Sequence, residues 1–154
     1  MLEWLSETAL ARALITRPTL YIFANAAHIL SIGVLAGSII LLDLRILGLF
    51  REPRLSVLGP FLARSAMVGV VFSIVTGFII FSVDAVEYAA NPAFLTKLGL
   101  LVAGIANALA LHASPGWRVA LDSNEAPVPT RIGAALSILI WISAIVAGRW
   151  IGFI

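Results

Sequence analysis

The sequence predicts an all-α integral membrane protein: a bundle of four transmembrane helices preceded by a short amphipathic helix. Three observations carry that prediction. Hydrophobic residues make up 61% of the 154 positions and charged residues only 12%, against roughly 25% charged in an ordinary soluble domain. Four apolar runs are long enough to cross a bilayer. The charges collect in the connections between them. The spans are expected at about 18–42, 62–83, 95–117 and 132–152, within one membrane domain covering 1–154.

The first run, Pro18 to Leu42, holds no charged residue. At the helical rise it measures about 37 Å, enough for a hydrocarbon core of about 30 Å with some tilt. Pro18 suits a first helical turn, where a missing N–H costs nothing. In the second run, Arg64 can extend its stem toward the headgroups. The third carries His112 near its end, after Lys97 at its start, and Pro115-Gly116 should disturb its last turn. The fourth is flanked by Arg131 and Arg149, with Trp150 suited to an interface. No run has a face polar enough to meet water. Ahead of them, residues 2–16 repeat Leu2, Leu5, Ala9 and Ala13 at helical spacing, a pattern for one helix lying on the membrane rather than a cleaved signal peptide.

Composition also removes whole classes of function. Ten basic and eight acidic residues give a net charge of +2, which leaves no basic surface for nucleic acid. The absence of cysteine excludes disulfides, CxxC redox chemistry and thiolate metal sites. No HExxH, carboxylate pair, methionine cluster or phosphate loop is present. The connections on one side hold Arg45, Arg51, Arg54, Arg64, Arg118 and Arg131; the other side holds Arg12, Arg17, Lys97 and Arg149. The excess of cationic residues in cytoplasmic segments then places both termini on the periplasmic side of a bacterial inner membrane.

Small residues predict helix contacts: Gly33 with Gly37, the stripe Gly69, Ser73 and Gly77, and Gly104 with Ala108. Polar groups inside lipid are the functional candidates, because each must find a partner or face a cavity. Asn25, His28 and Ser31 form a loose polar face on the first span, and Asn107 lies deep in the third, where a helix-to-helix hydrogen bond is its default role. An intramembrane histidine can ligate a haem iron, relay protons, or join two helices as a neutral donor. His28 and His112 are thus the candidate metal ligands, with Asn25, Lys97, Arg45 and Arg64 as further cofactor-binding candidates and haem b as the cofactor. Position argues against simple axial pairing: the two histidines differ by roughly 10 Å in depth. Three functions stay open: a b-type haem-binding or electron-transfer protein within a redox assembly, a cofactor-free scaffold subunit, and a small transport or metal-resistance component. The partners expected are the lipid bilayer and either further copies of the chain or a redox protein.

His28-Ile29-Leu30, the helix end Leu42-Asp43-Leu44-Arg45-Ile46-Leu47-Gly48-Leu49, the stretch Asn91 to Leu100 and the stretch Asn107 to His112 together resemble a family of small, uncharacterised bacterial inner-membrane proteins. More distantly, His28, Lys97 and Asn124-Glu125-Ala126-Pro127 resemble the superfamily of HemJ-type protoporphyrinogen oxidases and the copper-resistance protein CopD. That resemblance implies a haem-ligating His28 and a functional cation at Lys97. The chain departs from the HemJ-type pattern in placing its next histidine fifteen residues after Lys97, and in Trp141 and Trp150.

Overall fold

A computed structural model describes residues 2–153. Its helices are α1 (Glu3–Ser6), α2 (Ala9–Thr16), α3 (Pro18–Leu47), α4 (Leu55–Phe81), α5 (Ala85–Ala90), α6 (Pro92–Ala113), α7 (Pro115–Ser123) and α8 (Val128–Trp150), followed by a 3-10 turn at Ile151–Phe153. Four of these, α3, α4, α6 and α8, are long and apolar enough to cross a membrane. Their outward faces carry large apolar side chains such as Phe23, Leu30, Phe72, Val102, Leu109 and Leu139, a coat that suits lipid rather than water. α3 packs along α4, α6 along α8, and α3 also runs against α8. The short helices lie at the two ends.

Local chemistry explains most boundaries. Arg17 precedes Pro18 at the start of α3, and the chain bends there, with Arg17 in an extended conformation. The far end of α3 differs from the expected stop at residue 42. It continues to Leu47, where Gly48 takes φ 86° and closes a Schellman turn: Gly48 N–H donates to the Arg45 carbonyl and Leu49 N–H to that of Leu44. The charges of Asp43 and Arg45 therefore do not end the helix; both side chains are buried inside it. α4 starts at Leu55, earlier than residue 62, and accommodates Pro60 in its second turn.

The third span ends at Ala113, not residue 117. Ser114 turns the chain and caps a new helix, its Oγ accepting from Trp117 N–H at 3.2 Å, with Pro115 in the first turn of α7. The connection read as polar loop is thus a helix laid across the bundle end, with Trp117 and Ala120 turned inward. The expected single helix over 2–16 is two, because Thr8 caps a fresh start: its Oγ1 accepts from Ala11 N–H at 3.3 Å. Leu5, Ala11 and Leu14 are buried, so this segment presses on the protein as well as on the membrane interface.

Two apolar clusters hold the bundle. One gathers Leu42, Ile46, Leu55, Leu62, Leu111, Trp117, Ala120 and Ala134 at the end formed by the α3–α4 and α6–α8 connections, here called the loop end. The other gathers Leu35, Ile39, Ala66 and Trp141 near the middle. Gly69 lets α4 approach so closely that a Cβ there would lie 2.6 Å from the Leu35 nitrogen. Gly104 makes room in the same way for the Trp141 ring. The pair Gly33 and Gly37 does not pack: both are exposed, with nothing within 4 Å of an added Cβ. Their face of α3 points away from every neighbouring helix.

Candidate functional site

At the end where α3 begins and α8 finishes, all four spans supply a residue to one polar centre. His28 comes from α3, Ser73, Thr76 and Gly77 from α4, Lys97 from α6 and Gly148 from α8. The His28 ring lies over Gly77, where an added Cβ would meet its Cε1 at 3.1 Å. Lys97 lies along Gly148, whose added Cβ would stand 3.4 to 3.5 Å from Cδ, Cε and Nζ. The two glycines are what allow side chains this large between the helices.

The hydrogen bonds of Thr76 favour one His28 tautomer. Thr76 Oγ1 donates its single proton to the Phe72 carbonyl at 2.6 Å, the ordinary back-bond of a helical threonine. It is then an acceptor toward His28 Nδ1 at 2.9 Å, so Nδ1 carries the proton. The lone pair of the neutral ring sits on Nε2. That is the arrangement a histidine adopts when its other nitrogen is steered by a hydrogen bond and it is ready to ligate a metal.

An aromatic cluster covers this centre on the side of α5. Phe81 stacks on Phe94 with centroids 5.4 Å apart, and Tyr88 lies 5.7 Å from Phe94 and 6.2 Å from Phe81. Phe81 and Phe94 each stand about one turn outward from Gly77 and Lys97. Burial, and behind it the nearby Tyr21 hydroxyl, pushes the Tyr88 hydroxyl up to about 12. Between α6 and α8, a separate apolar groove of about 480 Å³ opens outward beside Pro92, Thr96 and Trp150.

The other residues singled out from the sequence lie elsewhere. His112 is at the opposite end of α6, fifteen residues and about 22 Å along the helix from Lys97. Its Nδ1 donates to the Ala108 carbonyl at 2.8 Å, its ring packs 4.4 Å from Trp117, and Nε2 is buried without a partner. One haem cannot take both histidines at this separation. Arg45 is about 25 Å along α3 from His28, too far to reach a propionate of a macrocycle held there. Its guanidinium instead gathers the loop end: Nε donates to the Pro53 carbonyl at 3.1 Å, and Nη2 to the Arg51 carbonyl at 2.7 Å and Asn124 Oδ1 at 2.6 Å. Arg64 and Asn25 are exposed on the outer surfaces of α4 and α3, away from the centre. Ser31 is buried and donates to the His28 carbonyl at 2.8 Å. Asn107 donates to the Gly133 carbonyl at 3.1 Å, joining α6 to α8.

Three participants escaped the sequence reading. Thr76 falls one position before the Gly77 of the small-residue stripe, a spacing that could have flagged it. Asp43 was read as following the span, yet it is 4% exposed inside the bundle, faces Ser137 on α8, and keeps Oδ2 without a partner. Asn124 was visible only as part of a short motif; its position opposite Arg45 depends on the path of α7.

These features define a multi-pass α-helical membrane protein with one polar centre between its spans and a second polar knot at the loop end. The whole chain, residues 1–154, matches DUF6644, a family of unknown function, and belongs to it. No curated protein and no solved structure matches the chain.

Proposed function

We propose that the chain is a membrane electron-transfer subunit in which a b-type haem would be held at the His28 centre, by His28 Nε2 on the iron and by the Lys97 cation on the acidic edge of the group. The observation that carries this reading is the tautomer: Thr76 has spent its proton on Phe72, so the free lone pair of His28 is on Nε2. Such a group, when bound, supplies one-electron chemistry. The chain's own residues do the rest. Thr76 orients the imidazole. Gly77 and Gly148 make room between the helices for the His28 ring and the Lys97 side chain. Phe81, Tyr88 and Phe94 restrict water. The resemblance to HemJ-type proteins adds support on the same two residues, His28 and Lys97. In this reading a second copy or a redox protein meets the exposed flank of the bundle. The arginine-rich loop end faces the cytoplasm of a bacterial cell, with the His28 centre in the periplasmic half.

The test is the absorbance of protein purified in mild detergent from its native membrane. A Soret band is expected that disappears in His28→Ala, persists in His112→Ala and weakens in Lys97→Gln. Cofactor-free protein that is stable and correctly folded overturns the proposal, as does a Soret band unchanged by His28→Ala.

A second reading, a cofactor-free scaffold, rests on a different observation. His28 to Thr76 and Asn107 to Gly133 each tie one helix to another, which is what polar groups in lipid do when they serve packing alone. Under that reading the same spectrum is blank, and His28→Ala lowers only thermal stability.

A further inference from the structure

The loop end carries a second site, unconnected with the first. A cavity of about 370 Å³ lies between the α3–α4 connection and the turn from α7 into α8, lined by Arg45, Arg51, Ser123, Asn124, Glu125 and Arg131, among others. We propose that it binds a phosphate group, supplied either by an acidic phospholipid headgroup or by free phosphate.

The charge balance at Arg45 is the first argument. Its side chain is 3% exposed, yet all three oxygens it donates to are neutral: two backbone carbonyls and an amide. Among the described residues no carboxylate pairs with it. A buried guanidinium is costly without a counter-charge, and neutral acceptors offset only part of that cost. Its donors are also incompletely used. Nε and Nη2 are occupied, whereas Nη1 makes no hydrogen bond and is not sealed from the cavity that Arg45 lines. A guanidinium that lines a cavity with a donor unused is suited to an oxyanion.

The rest of the lining agrees. Arg131 spends one nitrogen on the Leu47 carbonyl at 2.5 Å and keeps its remaining donors free at the rim. Arg51 contributes its carbonyl to Arg45 and leaves its own exposed side chain unpaired. Asn124 accepts from both Arg45 and Leu55 N–H through Oδ1, which leaves its NH₂ as a further donor. Three arginines face one acid, Glu125, so the cavity is net positive. It lies just beyond the last turn of α3 and before the first of α4, at headgroup depth. Basic pockets between helices at that depth select acidic lipids over zwitterionic ones.

The experiment uses the full chain in neutral detergent, with native mass spectrometry of phosphatidylglycerol and phosphatidylcholine adducts of matched acyl chains. Thermal melting in inorganic phosphate against chloride, at equal ionic strength, is measured in parallel. Phosphatidylglycerol adducts that outlast phosphatidylcholine ones, and fall about tenfold or more in Arg51→Gln/Arg131→Gln, support the lipid source. A phosphate-dependent rise in Tm, lost in the same variant and without any lipid preference, supports free phosphate. Glu125→Gln removes the one opposing charge and is expected to strengthen either effect several-fold, a gain that misfolding cannot imitate. The proposal is overturned if wild type shows neither effect, or if both effects survive the double arginine variant unchanged. Haem content reads the opposite end of the bundle and decides nothing here.

Discussion

Along α3, nine residues between Ser31 and Ile46 are buried, while none from Pro18 to Leu30 is. α4 repeats the contrast in reverse, with no buried residue beyond Ser73 inside the helix. α8 has none beyond Ala144. The bundle is therefore tightly closed from its middle to the loop end and loosely packed around His28, with α1, α2 and α5 gathered at the far end. The closed half is organised by large side chains against small ones, Trp141 on Gly104 and Leu35 on Gly69, and by the Arg45–Asn124 knot. Sites that admit a ligand are drawn from regions of low packing density, and rigid regions hold them in register. The difference sets a loosely packed His28 end against a closely packed loop end.

The largest effect should come from breaking the closed half at its tightest point. Gly69→Val puts side-chain atoms into the Leu35 backbone, where neither helix can yield, and should cost about 3 kcal/mol or more, read as loss of the folded bundle in thermal unfolding. Asn124→Gly preserves the positive φ of 63° at that position but removes the acceptor shared by Arg45 and Leu55 N–H. A loss of about 2 kcal/mol is expected, because one of the bonds is to a charged, buried group. In the loose half, Thr76→Val removes one neutral hydrogen bond from a half-buried ring, so about 1 kcal/mol or less should be lost. A larger loss there would show the two halves to be equally stiff. Gly33→Ala and Gly37→Ala meet nothing and should leave stability within about 0.5 kcal/mol of wild type. A marked effect in either would reveal a partner helix on that face.

Titration gives the smallest and most local readout. The folded protein holds the Tyr88 hydroxyl at about 12, above its usual value of 10. The neutral form is thus favoured by folding, its contribution is whole below pH 10, and it is lost as pH rises toward 12. In Tyr21→Phe, which leaves Tyr88 as the remaining tyrosine, tyrosinate absorbance should still appear later in the folded protein than in denaturant, because burial is the largest cause of the shift, but by less than with Tyr21 in place. Coincident titrations would place Tyr88 in open solvent and remove the aromatic cover from the His28 centre.

Composition and the lengths of four apolar runs determined by themselves that the chain is a four-span bundle, because lipid leaves a backbone little choice except the helix. The sequence also named His28 and Lys97, since polar groups in hydrocarbon are conspicuous. Tertiary structure alone decided that these two lie at one end of the bundle while His112 lies at the other: depth depends on where each helix starts, and α3 runs to Leu47 instead of stopping at its first charge. It likewise turned Asp43 and Arg45 inward, and made a helix of the segment after Ser114. The physical reason is the same in each case. A charge signals a helix end only when water receives it, and here two carbonyls of the following connection and the side chain of Asn124, 79 residues away in the chain, take water's place around Arg45.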